Sequence, residues 1–176
     1  MIRTGIGFDI HCLAKGRKLI LGGVRIKSDL GLMGHSDADV LCHAVIDALL
    51  GAVADGDIGT HFPDNDSRWK DADSLKMLSV VGARLKNKGA IVVNIDATIL
   101  AEKPRVASYR DEMRGKISRA LGIDEAKVSI KATTLEGLGA LGRGEGIAVM
   151  ASAAVEERRQ QSELRGRNIK REIEPE

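Results

Sequence analysis

Asp9 and His11 stand two residues apart in a stretch, residues 2–11 (IRTGIGFDIH), whose loose alternation and Ile and Phe content predict a strand. Alternation sends both side chains off one face, so they can converge on a single ion. His43 falls in the first turns of a segment, 39–51, that reads as a helix. One carboxylate and two neutral imidazoles form a reasonable three-ligand set for zinc, with a fourth position left open for chemistry. Asp47 lies four residues after His43 and Asp39 four before it. Either carboxylate could accept the imidazole's other N–H and fix its tautomer. A plainer reading stays open. Asp-x-His pairs arise in strands by chance, and a helical histidine commonly packs or hydrogen-bonds with no ligand at all.

Four further segments suit phosphate. Gly34-His35-Ser36-Asp37 sits where a loop meets a helix N-terminus, a place that favours anions. Asp57, Asp64 and Asp66 crowd one loop, and Thr133-Thr134-Leu135-Glu136 follows a strand. Residues 139–146 (GALGRGEG) combine glycine flexibility with Arg143 and Glu145. Phosphate chemistry needs donors and cations for the oxygens and carboxylates for a hard metal. Each segment also has an ordinary reading, as a solvated acidic loop or a turn, and no Walker or Rossmann spacing is met.

These groups need elements to hold them. Residues 18–26 (KLILGGVRI) predict a hairpin around Gly22-Gly23, and 28–36 a loop. Ser36 or Asp37 can cap the 39–51 helix, with Asp39 in its first turn and Val40, Ala44, Ile46, Leu49 and Leu50 as its apolar set. Residues 55–67 read as a loop. A second helix is expected over 73–88, capped by Asp73 or Ser74 and stopped by Gly89, then a strand over 90–100. A third helix over 106–121 ends at Gly122, a strand covers 127–133, a glycine-rich loop 135–146, and a last strand 147–155. Strands and helices alternate only partly, which predicts an α+β (mixed α/β) fold: a four-stranded sheet with helices packed on one face. Residues 1–155 form the expected domain. Residues 156–176, rich in Arg, Lys, Glu and Gln, read as a charged C-terminal tail, a frayed helix or disorder.

Composition narrows the function. Aromatics are 2% of 176 residues, so the core must be built from Val, Ile, Leu, Ala and Met. A net charge of +2 gives no footprint for nucleic acid. No apolar run approaches a membrane span, and the N-terminus runs straight into a strand, so export is not expected. Cys12 and Cys42 are too few for a disulfide framework, which suits a reducing cytoplasm. Both read as small buried hydrophobes, with zinc ligation as the alternative. Strand alternation turns Cys12 away from His11, and helix geometry sets Cys42 about 100° around from His43.

Five ordered segments then carry a resemblance: GFDIH at 7–11, GHSDADV at 34–40, H-A-x-x-D-A-L-L-G-A at 43–52, GDIGTHFPD at 56–64 and KATTLEGLGALGRGEGIA at 131–148. They resemble the 2-C-methyl-D-erythritol 2,4-cyclodiphosphate synthase family of non-mevalonate isoprenoid biosynthesis, from about Ile2 to Val155. The resemblance implies conversion of 4-diphosphocytidyl-2-C-methyl-D-erythritol 2-phosphate to the cyclic diphosphate, with release of CMP. It implies Asp9, His11 and His43 as zinc ligands, and Glu136 as holder of a second ion, Mg²⁺ or Mn²⁺, that comes with substrate. His35 and Ser36 match the phosphate-contacting loop on the erythritol side, and Asp57 and Asp64 the residues near the erythritol hydroxyls. Ala101, Pro104, Ala132, Thr133 and Thr134 match the cytidine and diphosphate pocket, and Phe8 and Arg143 a channel between subunits. It further implies a homotrimer with active sites shared between neighbours. Two positions depart from the family pattern. Leu135 stands where a polar residue such as Thr is frequent, which removes one hydrogen bond near the diphosphate. Ala140 replaces a frequent Phe beside the channel. Two rivals stay in view: a metal-dependent phosphate hydrolase, and a non-enzymatic trimeric sensor of an isoprenoid diphosphate.

Overall fold

A computed structural model describes residues 1–157. The expected tail from 156 onward therefore lies almost wholly outside the described residues. The elements, in chain order, are β1 (Ile2–Lys15), β2 (Leu19–Leu21), β3 (Val24–Ile26), β4 (Leu30–Leu32), α1 (Val40–Ala52), α2 (Ile58–His61), α3 (Ser74–Asn87), β5 (Ala90–Leu100), α4 (Arg110–Leu121), β6 (Val128–Thr133), α5 (Gly139–Gly142) and β7 (Gly146–Glu157).

The main sheet has five strands in the order β4-β1-β7-β5-β6, not four. Its antiparallel centre is β1 against β7 and β7 against β5. The β5 and β6 pair is parallel, with α4 in the connection between them. The extra strand is β4, inside the segment expected to be a loop. It pairs Leu32 with Leu13 and Leu30 with Lys15, which extends β1 to Lys15 rather than His11. Gly31 hid this strand from its sequence pattern. A Cβ there would lie 2.4 Å from the backbone of Arg17 and Lys18, so a glycine was needed for close approach. Residues 55–67 and 135–146 also hold short helices, α2 and α5, where loops were expected.

One face of the sheet is buried. Ile147, Val149, Ala151, Ala153 and Val155 of β7 point inward, as do Ile95, Ala97 and Ile99 of β5, against α1 and α3. α1 lies unusually close to β1. A Cβ on Gly5 would sit 2.1 Å from the Ala48 carbonyl oxygen, and one on Gly7 only 1.9 Å from that of Ala44. Only hydrogen on those two α-carbons lets the helix rest directly on the strand. The opposite face keeps large apolar side chains in the open: Ile6 is 74% exposed, Phe8 53%, Ile10 51% and Met150 53%.

The second sheet is the β2–β3 hairpin, turning at Gly22 and Gly23, whose φ angles are +58° and +71°. Two consecutive positive φ values are what a tight primed turn requires. No helix of the described residues is long and apolar enough to cross a membrane.

Candidate metal and phosphate site

The closeness of α1 to β1 creates the site. Asp9 and His11 continue the β1 face that carries Gly5 and Gly7, and His43 lies one residue before Ala44 on α1. Asp9 Oδ2 is 2.9 Å from His11 Nε2 and 3.0 Å from His43 Nδ1, and the two ring nitrogens are 3.3 Å apart. For an ion bound at about 2.05 Å, the edge of a ligand tetrahedron is about 3.3 Å. The observed spacings come close to that, so the donor set fits a metal ion in both chemistry and size. Burial works against charge on Asp9. Hydrogen bonds and charge from His11 and His43 outweigh it and hold the carboxyl well below the usual carboxylate range. Burial would lower His11, yet the bond to Asp9 and its charge, with the Met33 carbonyl, raise it. His11 Nδ1 donates to that carbonyl at 2.5 Å, so Nε2 is the ring atom turned to the cluster, where it bonds Asp9 and where it would offer its lone pair to a bound ion. Neither cysteine takes part: Cys42 is buried and Cys12 is exposed on the open face of β1, which corrects its expected burial.

The carboxylates expected to back His43 do other work. Asp39 is the N-cap of α1, in place of Ser36 or Asp37. The helix cannot begin earlier because Ala38 has φ +59°. Asp39 Oδ1 accepts from Cys42 N at 3.0 Å and Gly22 N at 2.9 Å, and Oδ2 from Gly23 N at 2.6 Å. It thus fastens the hairpin turn to the helix start, while complete burial raises its pKa against those bonds. Asp47 accepts from Ile58 N at 2.7 Å, and its pKa too is raised by burial. The groups facing His43 Nε2 are instead two hydroxyls, Ser36 Oγ at 3.1 Å and Ser74 Oγ at 3.0 Å. The sequence pattern marks Ser74 only as a possible helix cap. Nothing in local spacing brings residue 74 to residue 43.

Asp9, His11 and His43 open onto a cavity of about 640 Å³, also lined by His35, Ser36, Asp47, Ile58, Asp64 and Trp69. Trp69 packs edge-on against Phe62 with ring centroids 4.7 Å apart. Asp57 is not part of this lining. It caps α2, accepting from Thr60 N and Oγ1, both at 2.8 Å. Those bonds lower its pKa.

The remaining predicted residues form a second group. Ala101 follows β5, and its N–H donates to Thr133 O at the end of β6 at 3.0 Å. Ala132 and Thr133 are thus at the carboxyl end of a parallel pair, the usual place for a ligand in such a sheet. Thr134 Oγ1 donates to Glu136 Oε1 at 2.6 Å, and Glu136 has φ +51°. Glu102, unremarked in the sequence, accepts from Leu135 N at 2.8 Å and Gly137 N at 3.3 Å and shapes that turn. Pro104 and Arg143 line a separate cleft, where Arg143 Nε donates to Glu145 at 2.6 Å. Phe8 lies on the open sheet face. No residue of this second group lines the 640 Å³ cavity.

Comparison with known proteins places the chain in a family. The model of the YgbB family matches residues 2–156. The 2-C-methyl-D-erythritol 2,4-cyclodiphosphate synthase of Bacillus pumilus is 55% identical over 158 residues, covering 90% of this chain and 100% of its own length. Among solved structures, the bifunctional IspDF of Campylobacter jejuni matches with a TM-score of 0.86 and 40% identity, over 90% of this chain and 43% of that one. The Plasmodium falciparum IspF complex with CDP matches with a TM-score of 0.78 and 32% identity, over 89% and 97% of the two chains.

Proposed function

The chain belongs to the YgbB family, and from that membership together with the Asp9–His11–His43 cluster we infer its activity and the part each site residue plays. It is a lyase of the non-mevalonate isoprenoid pathway, a 2-C-methyl-D-erythritol 2,4-cyclodiphosphate synthase. The substrate is 4-diphosphocytidyl-2-C-methyl-D-erythritol 2-phosphate. An oxygen of the 2-phosphate forms a bond to the β-phosphorus, the bond from that phosphorus to the bridging oxygen breaks, and CMP leaves with the electron pair. No proton need move in that exchange, because the nucleophile is already an anionic oxygen of the same molecule. The barrier lies in charge repulsion and in bending a flexible chain into line, so positioning and electrostatics supply the acceleration.

Asp9, His11 and His43 would hold zinc, which when bound supplies a Lewis acid beside the β-phosphate. Glu136 would hold Mg²⁺ or Mn²⁺ arriving with the diphosphate. His35 and Ser36 orient the 2-phosphate at the cavity wall, and Asp57 and Asp64 accept from the erythritol hydroxyls. Ala101, Pro104, Ala132, Thr133 and Thr134 form the cytidine and diphosphate pocket, and the CDP complex of the Plasmodium falciparum relative supports a cytidine nucleotide as the group bound. We place this machinery in residues 1–155 and the enzyme in the cytoplasm.

Two observations support a homotrimer with shared sites. The cytidine-side residues do not line the metal-side cavity of their own subunit. The open apolar sheet face, with Phe8 and Met150, calls for a covering partner. Arg143 would then line the channel between subunits.

The observation that carries the reading is the convergence of three metal-ligating atoms on one cavity in a chain of this family. Incubation with the cytidine-linked substrate, with and without chelator, followed by phosphorus NMR, tests it. A cyclic diphosphate and CMP are expected, both abolished by chelation and by His43→Ala. A linear phosphate product would make the protein a hydrolase, and full turnover without metal would remove the zinc role.

A further inference from the structure

Ser74 is the first residue of α3 and is fully buried. Its Oγ lies 3.0 Å from His43 Nε2 and 2.5 Å from Asp37 Oδ1, while Asp37 Oδ2 takes the Ser74 backbone N–H at 3.2 Å. The Asp37 carboxylate acts only as acceptor, from Ser74 and from Asp39 N. The single hydroxyl proton of Ser74 is therefore directed to Asp37, and what faces His43 is an oxygen lone pair. Nε2 must then carry the imidazole proton, since two facing lone pairs in a buried site would leave both groups unsatisfied. Nδ1 is then the atom that faces Asp9 Oδ2 and His11 Nε2, and its lone pair is the one a bound ion would take. Ser36 Oγ, at 3.1 Å from the same nitrogen, takes the Ala38 N–H but has no carboxylate partner among the described residues, so it sets no direction by itself.

We propose that Asp37 and Ser74 are positioning residues: a carboxylate–hydroxyl relay that fixes the tautomer and ring orientation of His43 so that Nδ1 faces the ion. The proposal rests on the metal reading above. It goes further, because it joins two parts of the site that the ligand set alone leaves separate. The segment that brings Asp64 and Trp69 to the cavity ends at Ser74. That segment is stitched to the His35 loop by Asp71 N to His35 O at 3.0 Å and Asp37 N to Ala72 O at 3.1 Å. The substrate-facing loop and the metal ligand thus share one anchor.

The test is zinc titration of the metal-free full chain against a chelator of known affinity, for wild type, Ser74→Ala and Asp37→Asn. Absorption spectra of the cobalt-loaded proteins at saturating metal are recorded alongside. Ser74→Ala is expected to bind zinc about 10- to 100-fold more weakly, the usual effect of removing a ligand's hydrogen-bond partner. Asp37→Asn should lose affinity in the same direction but less, and the cobalt ligand-field bands should move in both. Wild-type affinity and spectra in the two variants overturn the relay while leaving the zinc site in place. So does a lowered melting temperature with an unchanged cobalt spectrum, which would make Ser74 a packing residue. A wild-type protein that takes up no zinc overturns the metal reading, and the relay with it. Should Ser74→Ala fail to fold, Asp37→Asn decides the matter by the same two measurements.

Discussion

Gly7→Ala should disable the proposed metal site without touching any of its three side chains. Gly7 shares the β1 face of Asp9 and His11, and a Cβ there would lie 1.9 Å from Ala44 O and 2.7 Å from Ala48 N. Both are backbone atoms of a regular helix, so no side chain can swing away. Restoring an ordinary contact needs α1 to withdraw by about 1.5 Å in a core packed like a crystal. His43 is the residue before Ala44 and must travel with it, whereas a metal site tolerates about 0.2 Å in its ligand distances. Overpacking of this kind costs about 1–3 kcal/mol, and a clash with backbone belongs at the upper end. For a chain of this length about 3 kcal/mol corresponds to a melting temperature lower by roughly 6–12 °C. Zinc affinity should fall by about 100-fold or more, beyond the loss expected from a supporting residue. Gly51→Ala is the control on the same helix, since its Cβ would meet nothing nearer than 3.9 Å. Gly→Ala within a helix gains about 0.5–1 kcal/mol, so that variant should melt slightly higher and bind zinc normally. Chelator competition and thermal denaturation read both. A Gly7→Ala protein that melts and binds zinc like wild type would refute the claim that helix-to-strand closeness sets the ligand geometry.

Two more outcomes follow from other parts of the fold. Asp55 accepts from Arg84, pairs with Lys88 Nζ at 2.7 Å, and so ties the end of α1 to α3; the Arg84 bond leads the causes that hold its pKa well below the usual carboxylate value. A depressed folded pKa contributes stability above the unfolded value near 4 and loses it as pH falls below that, so Asp55→Asn should melt lower than wild type at pH 7, by about 1 kcal/mol, with the gap closing towards pH 2. A constant gap across that range in urea titrations would show that the charge of Asp55 is not what matters. Ile6→Asp places a carboxylate in the centre of the open apolar face; if that face forms the proposed homotrimer, wild type should sediment as three copies and the variant as single chains, and an equal mass for the two would remove that face from the subunit contact.

The Asp9–His11–His43 cluster was legible in the sequence because strand and helix periods fix faces, and faces were enough to bring Asp9, His11 and a helical His43 into play. The helix of residues 73–88 and its Gly89 stop, and the Gly122 stop at +65°, were legible for the same local reason: caps and left-handed residues declare themselves within one turn. What period could not reach was anything decided by approach across the chain. β4 was missed because Gly31 carries no side chain to pattern, yet it is the glycine that lets the strand lie against Arg17 and Lys18. The same blindness explains the support of His43. Helical spacing offered Asp39 and Asp47, four residues to either side, but Asp39 is committed to a hairpin 16 residues upstream and Asp47 to α2. The hydroxyl of Ser74 arrives from 31 residues away, on the first turn of another helix. A ligand's identity can thus be written in a short motif, while its orientation is settled by tertiary contact. A variant survey confined to the recognised motifs would reach Gly7, the first residue of GFDIH, but would miss Ser74, which lies outside every one of them.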